Sequence, residues 1–278
     1  MKLLDGKALA EKQRLGLKRR VAGLKRRGVK PSLAVVMVGN HPASAVYVKN
    51  KARFCEGVGV EFRLHQLPAN ASQQSVLAVI EKLNRQRLVH GIIVQLPLPA
   101  KLDELNLIAA IDPRKDVDGL HPLNVGLLAY GRELFGPATP QGILALLDEY
   151  KVALAGKVVA MVGYGRVVGL PMSLMLSRAG ATVVVAHQQT KDLPGLLRTA
   201  QIVITAVGKP GLITGTMLKP GVVVIDAGIS QHGGKFVGDV DFASAAKVAS
   251  LITPVPGGVG PLTVSSLVAN VTRAAGRL

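Results

Sequence analysis

The 278-residue chain holds 34 Lys and Arg against 17 Asp and Glu, a formal net charge of +17, with 49% hydrophobic and 18% charged residues. That mixture builds the core of one large or two modest domains and excludes a disordered polymer. No Trp and only 3% aromatic residues argue against a nucleic-acid reader built on stacked bases.

The chain opens on "MKLLDGKALAEKQ", too polar for a secretory signal, and no apolar run approaches the ~18 residues of a membrane span. The densest basic run, Lys12 to Lys30, has Leu and Val at helical spacing, so its cations read as the wet side of an amphipathic helix. The surplus charge fits either such a solvated face or attraction of anionic ligands such as nucleotides, with nucleic acid a third reading. Next comes "SLAVVMVG", a buried strand ending at Gly39, and "ASAVYVKNKARFCEGVG", a helix closed by glycine. "VEFRLHQL" predicts a strand, "SQQSVLAVIEKLN" a helix and "GIIVQL" another strand. Cys55, the only cysteine, permits no intrachain disulfide and suits a reducing, cytoplasmic compartment; its apolar helical setting points to a buried thiol.

Lys115 to Gly142 is rich in Gly and Pro and breaks the rhythm, and the domain boundary is placed near its end. "TPQGILALLDEY" then offers Thr139 as an N-cap and Pro140 at the first helical position. Strands are predicted at 158–162, 182–186, 202–205 and 222–226, with a helix to Ala179, a short helix after 186 and a closing helix after a Pro/Gly loop. Strand and helix alternating with short connectors predicts an α/β fold with mostly parallel sheets.

The strand at 158–162 runs into Gly163, Gly165 and Gly169 and then a helix, the setting of a dinucleotide fingerprint, one residue longer than the common spacing. An ordinary strand-to-helix turn is the plainer reading. The following strand, "ATVVVAHQQTK", ends without the acid that would grip an NAD ribose. With Arg166 and Lys191 near in sequence, NADP is the expected cofactor and NAD the alternative. Tyr164 has the shape to cover an adenine.

The chemistry-bearing residues lie earlier. Ser44, Tyr47 and Lys51 recur at i, i+3 and i+7 and share one helical face. A lysine partly buried beside a phenol can lose its proton near neutrality and move protons; the plainer alternative is a snorkelling lysine. Gln95 follows a buried strand, at the end where α/β sheets bind ligands. Of Asp116 and Asp118 in "KDVDG", one can tie down the turn and the other can bind an amino or guanidine-like edge. No His/Cys cluster has metal spacing, so no metal is expected.

Together "YVKNK", "GIIVQLPLP", "KDVDGLHPLNVG", "PATPQG", "GDVDF" and "TPVPGGVGPLTVSSL" resemble the bifunctional methylenetetrahydrofolate dehydrogenase/cyclohydrolase family, in its order and over nearly the whole chain. The resemblance implies two α/β domains flanking a folate cleft, the second a Rossmann-type dinucleotide-binding domain. It implies a folate-binding domain over 1–138, completed by a C-terminal helix at 263–278, and an NAD(P)-binding domain over 139–262. By motif position Lys51 resembles the general acid/base of the hydrolytic step, Tyr47 its hydrogen-bonding and stacking partner, Gln95 the amide that orients it, and Asp118 the grip on the pterin's amino edge. Ser44, Val94, Leu96, Pro256, Gly260 and Thr263 fall at substrate positions. Gly163, Tyr164, Gly165, Gln188 and Ile229 fall at cofactor positions. The family usually has G-R-S or a close variant at 163–165, serine at 188 and cysteine at 138, where this chain has Gly-Tyr-Gly, Gln188 and Ala138; Arg166 is the expected substitute anchor for the extra phosphate. The implied protein is a homodimeric enzyme of one-carbon metabolism. Its rivals are a monofunctional cyclohydrolase, an NAD-linked dehydrogenase of the same family and a non-catalytic dinucleotide sensor.

Overall fold

The computed structural model describes residues 1–232 and 235–277; Leu278, the last residue of the expected closing helix, lies outside them. The elements in chain order are β1 (Lys2–Leu3), α1 (Gly6–Arg26), β2 (Ser32–Val38), α2 (Pro42–Val58), β3 (Glu61–Leu67), α3 (Gln73–Arg85), β4 (Gly91–Val94), α4 (Glu104–Ala109), α5 (Pro122–Ala129) and α6 (Ala138–Glu149). They continue with β5 (Val158–Val162), α7 (Gly169–Arg178), β6 (Thr182–Ala186), α8 (Leu193–Thr199), β7 (Ile202–Thr205), β8 (Val223–Asp226), β9 (Ser230–His232), β10 (Lys235–Val237), α9 (Phe242–Ala245), β11 (Leu251–Ile252) and α10 (Val259–Ala275). Two compact units result, one of residues 11–138 with 264–278, the other of 1–10 with 139–263.

In the first unit β2 lies between β3 and β4, all parallel. Alternate residues of β2 serve opposite faces: Leu33, Val35 and Met37 pack with α1, α2 and α10, while Ala34, Val36 and Val38 pack with α3 and α4. A strand buried on both faces has no polar alternation, which is why "SLAVVMV" reads as one apolar run. Helix α1 buries Leu17, Val21 and Leu24 and exposes Lys18, Arg19, Lys25 and Arg26, with Arg27 exposed just past it, as the amphipathic reading predicts. It starts earlier than that reading, at Gly6, where the Asp5 carboxylate accepts from Ala8 N at 2.9 Å. Helix α4 lies upstream of the Gly/Pro-rich stretch and α5 within it, and α5 is opened by His121, whose Nδ1 accepts from Leu123 N.

The second unit carries a six-stranded parallel sheet in the order β1-β11-β8-β7-β5-β6. Chain order reverses around β5, whose neighbours are β6 and β7, so the crevice beyond β5 and β7 is the topological switch point. Val159, Met161, Ile202 and Ile204 face one layer, Ala160, Val162 and Val203 the other. Each fully buried Val, Ile or Leu contributes about 1.5–3 kcal/mol. The sequence places residues 1–10 with the folate domain; in the structure they cluster with 139–263, because β1 extends this sheet beside β11 and Leu4 is wholly buried against Ile143 and Leu146. The predicted N-cap at Thr139 also differs. Helix α6 already includes Ala138, and the Thr139 hydroxyl pairs with that of Thr263 at 3.0 Å. The two-stranded antiparallel pair β9–β10 follows β8 and went unpredicted.

Candidate active site

Helix α2 starts with Pro42, whose missing N–H costs nothing there, and stops at Gly59 in the left-handed conformation. Between them Ser44, Tyr47, Lys51 and Cys55 follow one another along a single face. Ser44 and Lys51 are buried and Tyr47 is half-buried. Gln95 comes to meet this face because its backbone N–H continues the ladder one residue past β4, donating to Val36 O at 2.8 Å. Its side chain accepts from Lys51 Nζ at 2.8 Å through Oε1 and donates to Leu96 O at 2.6 Å through Nε2. The amide orientation is thereby fixed: only the oxygen can face an ammonium. Ser44 Oγ donates to the same Leu96 carbonyl at 3.4 Å, and Val94 is buried just before.

Burial pushes the Lys51 pKa below the ordinary lysine range, opposed first by the Asp118 charge and then by Cys55. Burial pushes the Asp118 carboxyl up, with Lys51 pulling it back down and Asp116 adding to the rise. Burial also raises Tyr47, whose hydroxyl is buried with no hydrogen-bond partner among the described residues. A buried phenol in that condition is a donor waiting for an acceptor. The Cys55 thiol is pushed up to about 12 by burial, with Lys51 opposing, so it stays protonated and inert.

The two aspartates separate as the sequence reading left open. Asp116 accepts from Leu120 N at 3.2 Å, His121 N at 2.8 Å and Asn124 Nδ2 at 2.7 Å; it ties the turn. Asp118 has no such bonds among the described residues and feels the Lys51 charge. Its loop is tied to the segment leading into α6 by Asn270, whose Nδ2 donates to Val117 O at 2.9 Å and Gly136 O at 3.0 Å. Sequence reasoning missed Asn270, since an amide in a C-terminal helix carries no local signal for a loop 150 residues earlier.

In the second unit the strand-to-helix turn has the shape its glycines imply. Gly163 sits at φ 97°, and a Cβ there would stand 2.7 Å from Ala206 O; one at Gly169 would stand 2.1 Å from Gly163 O. A Cβ at Gly165 would meet nothing within 4 Å. The turn is therefore packed shut on its inner side and open on the side a ligand would approach. Tyr164, Arg166, Gln188 and Ile229 are exposed around the ends of β5, β6 and β8, and no acid stands between Ala186 and Lys191. Pro256, Gly260 and Thr263 fall in this unit, on the loop before α10 and on its first turns. Sequence reasoning also missed Asp226 and Asp239, both buried at the same end of the sheet. The signal was present: an acid ending the apolar run "VVVID", and "GDVDF", which carried no assigned role. No group of three His, Cys, Asp or Glu able to hold a metal exists among the described residues.

Residues 4–118 match the family described as tetrahydrofolate dehydrogenase/cyclohydrolase, catalytic domain, and residues 137–278 match its NAD(P)-binding domain. The chain is 49% identical over 277 residues to bifunctional protein FolD of Bordetella avium, covering 99% of this chain and 98% of that one. It superposes with a TM-score of 0.97 and 47% identity on the bifunctional enzyme FolD, methylenetetrahydrofolate dehydrogenase/cyclohydrolase, of Campylobacter jejuni, covering 100% of both chains. The Trypanosoma brucei FolD, solved in complex with NADP cofactor and inhibitor, superposes at 0.94 with 37% identity, over 98% of this chain and 96% of that one. Two domain matches in order and near-half identity over the full length lead to one conclusion: this chain belongs to the tetrahydrofolate dehydrogenase/cyclohydrolase family.

Proposed function

We propose that the protein oxidises methylenetetrahydrofolate to methenyltetrahydrofolate with NADP and hydrolyses that product to formyltetrahydrofolate. The observation that carries the second step is the buried Lys51 nitrogen, donating to Gln95 Oε1 beside the Asp118 charge. Hydrolysis begins with water adding to the methenyl carbon, which lies between two nitrogens. Neutral Lys51 Nζ takes the water proton as the C–O bond forms. The same nitrogen then returns a proton to the departing folate nitrogen as the C–N bond breaks. The second water proton passes to solvent as the carbinol collapses to the formyl carbonyl, the one net proton of the reaction. Gln95 aims the Lys51 lone pair and Tyr47 supplies its unpartnered hydroxyl and ring face to the folate. Asp118 grips the pterin's amino edge and limits how far the Lys51 pKa falls. Ser44, Val94 and Leu96 complete the substrate contacts of this unit.

The glycine turn fits NADP on its own geometry, being closed behind and open in front, with an exposed cation and no competing acid. Gly163, Tyr164 and Gly165 would face the pyrophosphate and adenosine, Arg166 and Gln188 the extra phosphate, and Ile229 the nicotinamide side. Bound NADP supplies the hydride acceptor. The substrate carbon loses hydride readily because adjacent nitrogen lone pairs stabilise the cation, so the residues need only position it.

The deciding experiment is Lys51→Met. Methenyl hydrolysis should fall by roughly 10²–10⁴-fold, while folding and at least part of the NADP-linked hydride transfer remain. Unchanged hydrolysis would remove Lys51 from the chemistry. The reading extends to a homodimer through the nucleotide-binding unit, supported by the family likeness and checked by sedimentation. It extends also to a cytoplasmic location, supported by the single buried thiol and checked by fractionation.

A further inference from the structure

The motif "GDVDF" enters none of the steps above, yet its first acid is among the most buried charges in the second unit. Asp239 has no exposed surface. Its Oδ2 accepts from Thr205 Oγ1 at 2.8 Å and Val207 N at 2.7 Å, and its Oδ1 from Lys209 N at 2.8 Å. All three donors belong to one strap, the segment leaving β7. Burying a carboxylate is costly, and a network whose every donor is matched specifies one backbone arrangement. The strap that it specifies lies at the switch point. Ala206 O is the atom against which Gly163 packs, and Val207, Gly208 and Lys209 are exposed beyond it.

A second set of bonds fastens the strap from the other side. Ser230 Oγ donates to Gly208 O at 2.9 Å. Ser230 follows Ile229 on the segment leaving β8, and that segment is set by Asp226, which accepts from Gly228 N at 2.9 Å, Asp239 N at 3.1 Å and Val240 N at 2.9 Å. The backbone passes so close that a Cβ at Gly228 would stand 2.1 Å from the Asp239 carboxyl carbon. Asp239 thus fastens the end of β7 beside the segment leaving β8, and through Ala206 the same strap packs on Gly163 at the end of β5.

We propose that Asp239 is a positioning residue for the dinucleotide: its carboxylate fixes the 205–209 strap that forms one wall of the NADP site, and it touches neither cofactor nor folate. The proposal rests on the NADP reading above. Asp239→Asn is the test, because the amide keeps the volume but turns an N–H toward amides that need an acceptor. NADP affinity, measured by calorimetry without folate, should weaken by about tenfold or more. KM for NADP should rise in step, with kcat at saturation and methenyl hydrolysis each within about twofold of wild type. Should Asp239→Asn not fold, Thr205→Val and Ser230→Ala each remove one fastening and should weaken NADP binding by about threefold. NADP affinity unchanged in a folded Asp239→Asn, or in both milder variants, overturns the role. So does hydrolysis falling in parallel with binding, since that marks general damage to the fold. Wild-type protein that binds no NADP overturns the cofactor reading itself, an outcome visible before any variant is made.

Discussion

Arg166 carries an exposed guanidinium just past the glycine turn, and it is the cation proposed to meet the extra phosphate that separates NADP from NAD. The neighbouring strand β6 ends in Ala186 with His187 and Gln188 following, so no acid there repels that phosphate or grips a bare ribose as a carboxylate would. An exposed Arg–phosphate pair stabilises by roughly 1–2 kcal/mol once solvent screening is allowed for. Arg166→Ala should therefore raise KM for NADP by about 5- to 30-fold, leave KM for NAD within about twofold and hold kcat for both. Equal changes for the two cofactors would move the phosphate contact elsewhere. The exposed place of Arg166 beside the turn was legible from sequence because a strand running into closely spaced glycines and then a helix fixes where the intervening residues stand. The split between Asp116 and Asp118 was not. Two acids two apart in an irregular loop carry no period, and only the bonds from Leu120, His121 and Asn124 separate them.

The elements were legible where burial imposes a period. β2, β5 and β7 bury both faces, and their apolar runs end within a residue of the observed strands. β1 and β11, two residues each, exist only because they pair with each other and with β8, a fact that no local pattern contains. Helix α5 hid behind Pro122 and Gly126, which sequence reads as loop, although proline is at home in a first turn. The same limit applies to α10 as a support. Asn270 is fully buried and its Nδ2 holds one carbonyl beside Asp118, Val117 O, and one on the segment leading into α6, Gly136 O, while its Oδ1 has no partner among the described residues. Asn270→Ala strands Val117 O and Gly136 O but also removes an unpaired oxygen. The net cost should be about 1–3 kcal/mol. That lowers the unfolding midpoint by a few degrees, about 2–4 °C per kcal/mol at this size. A loosened loop also moves Asp118, so KM for folate should rise severalfold in both reactions. A normal folate KM at reduced stability would confine Asn270 to the fold alone.

For the molecule as a whole the dominant fact is the charge of +17, because every expected ligand is an anion. Much of that charge is solvated rather than paired. Glu11–Arg14, Glu61–Arg63, Glu81–Arg85 and Asp112–Arg114 are local pairs on the surface, while Lys18, Arg19, Lys25 and Arg26 stand exposed along α1 and Arg27 just past it. Such a surface raises the local concentration of anions at low salt, and the effect fades once the Debye length shrinks from about 14 Å near 50 mM to about 4 Å near 0.5 M. Over that range kcat/KM for NADP should fall severalfold, and more steeply than for NAD, with kcat nearly flat. Local contact with Arg166 predicts a salt effect too, so the field must be changed away from that residue. Lys18→Glu, Arg19→Glu and Lys25→Glu together alter no proposed site residue. At low salt the triple variant should lose about two- to threefold in kcat/KM for NADP, and at 0.5 M it should match the wild type. A variant indistinguishable from wild type at low salt would mean that the anion is drawn by the few cations that touch it, and that the remaining charge serves only to keep the surface wet.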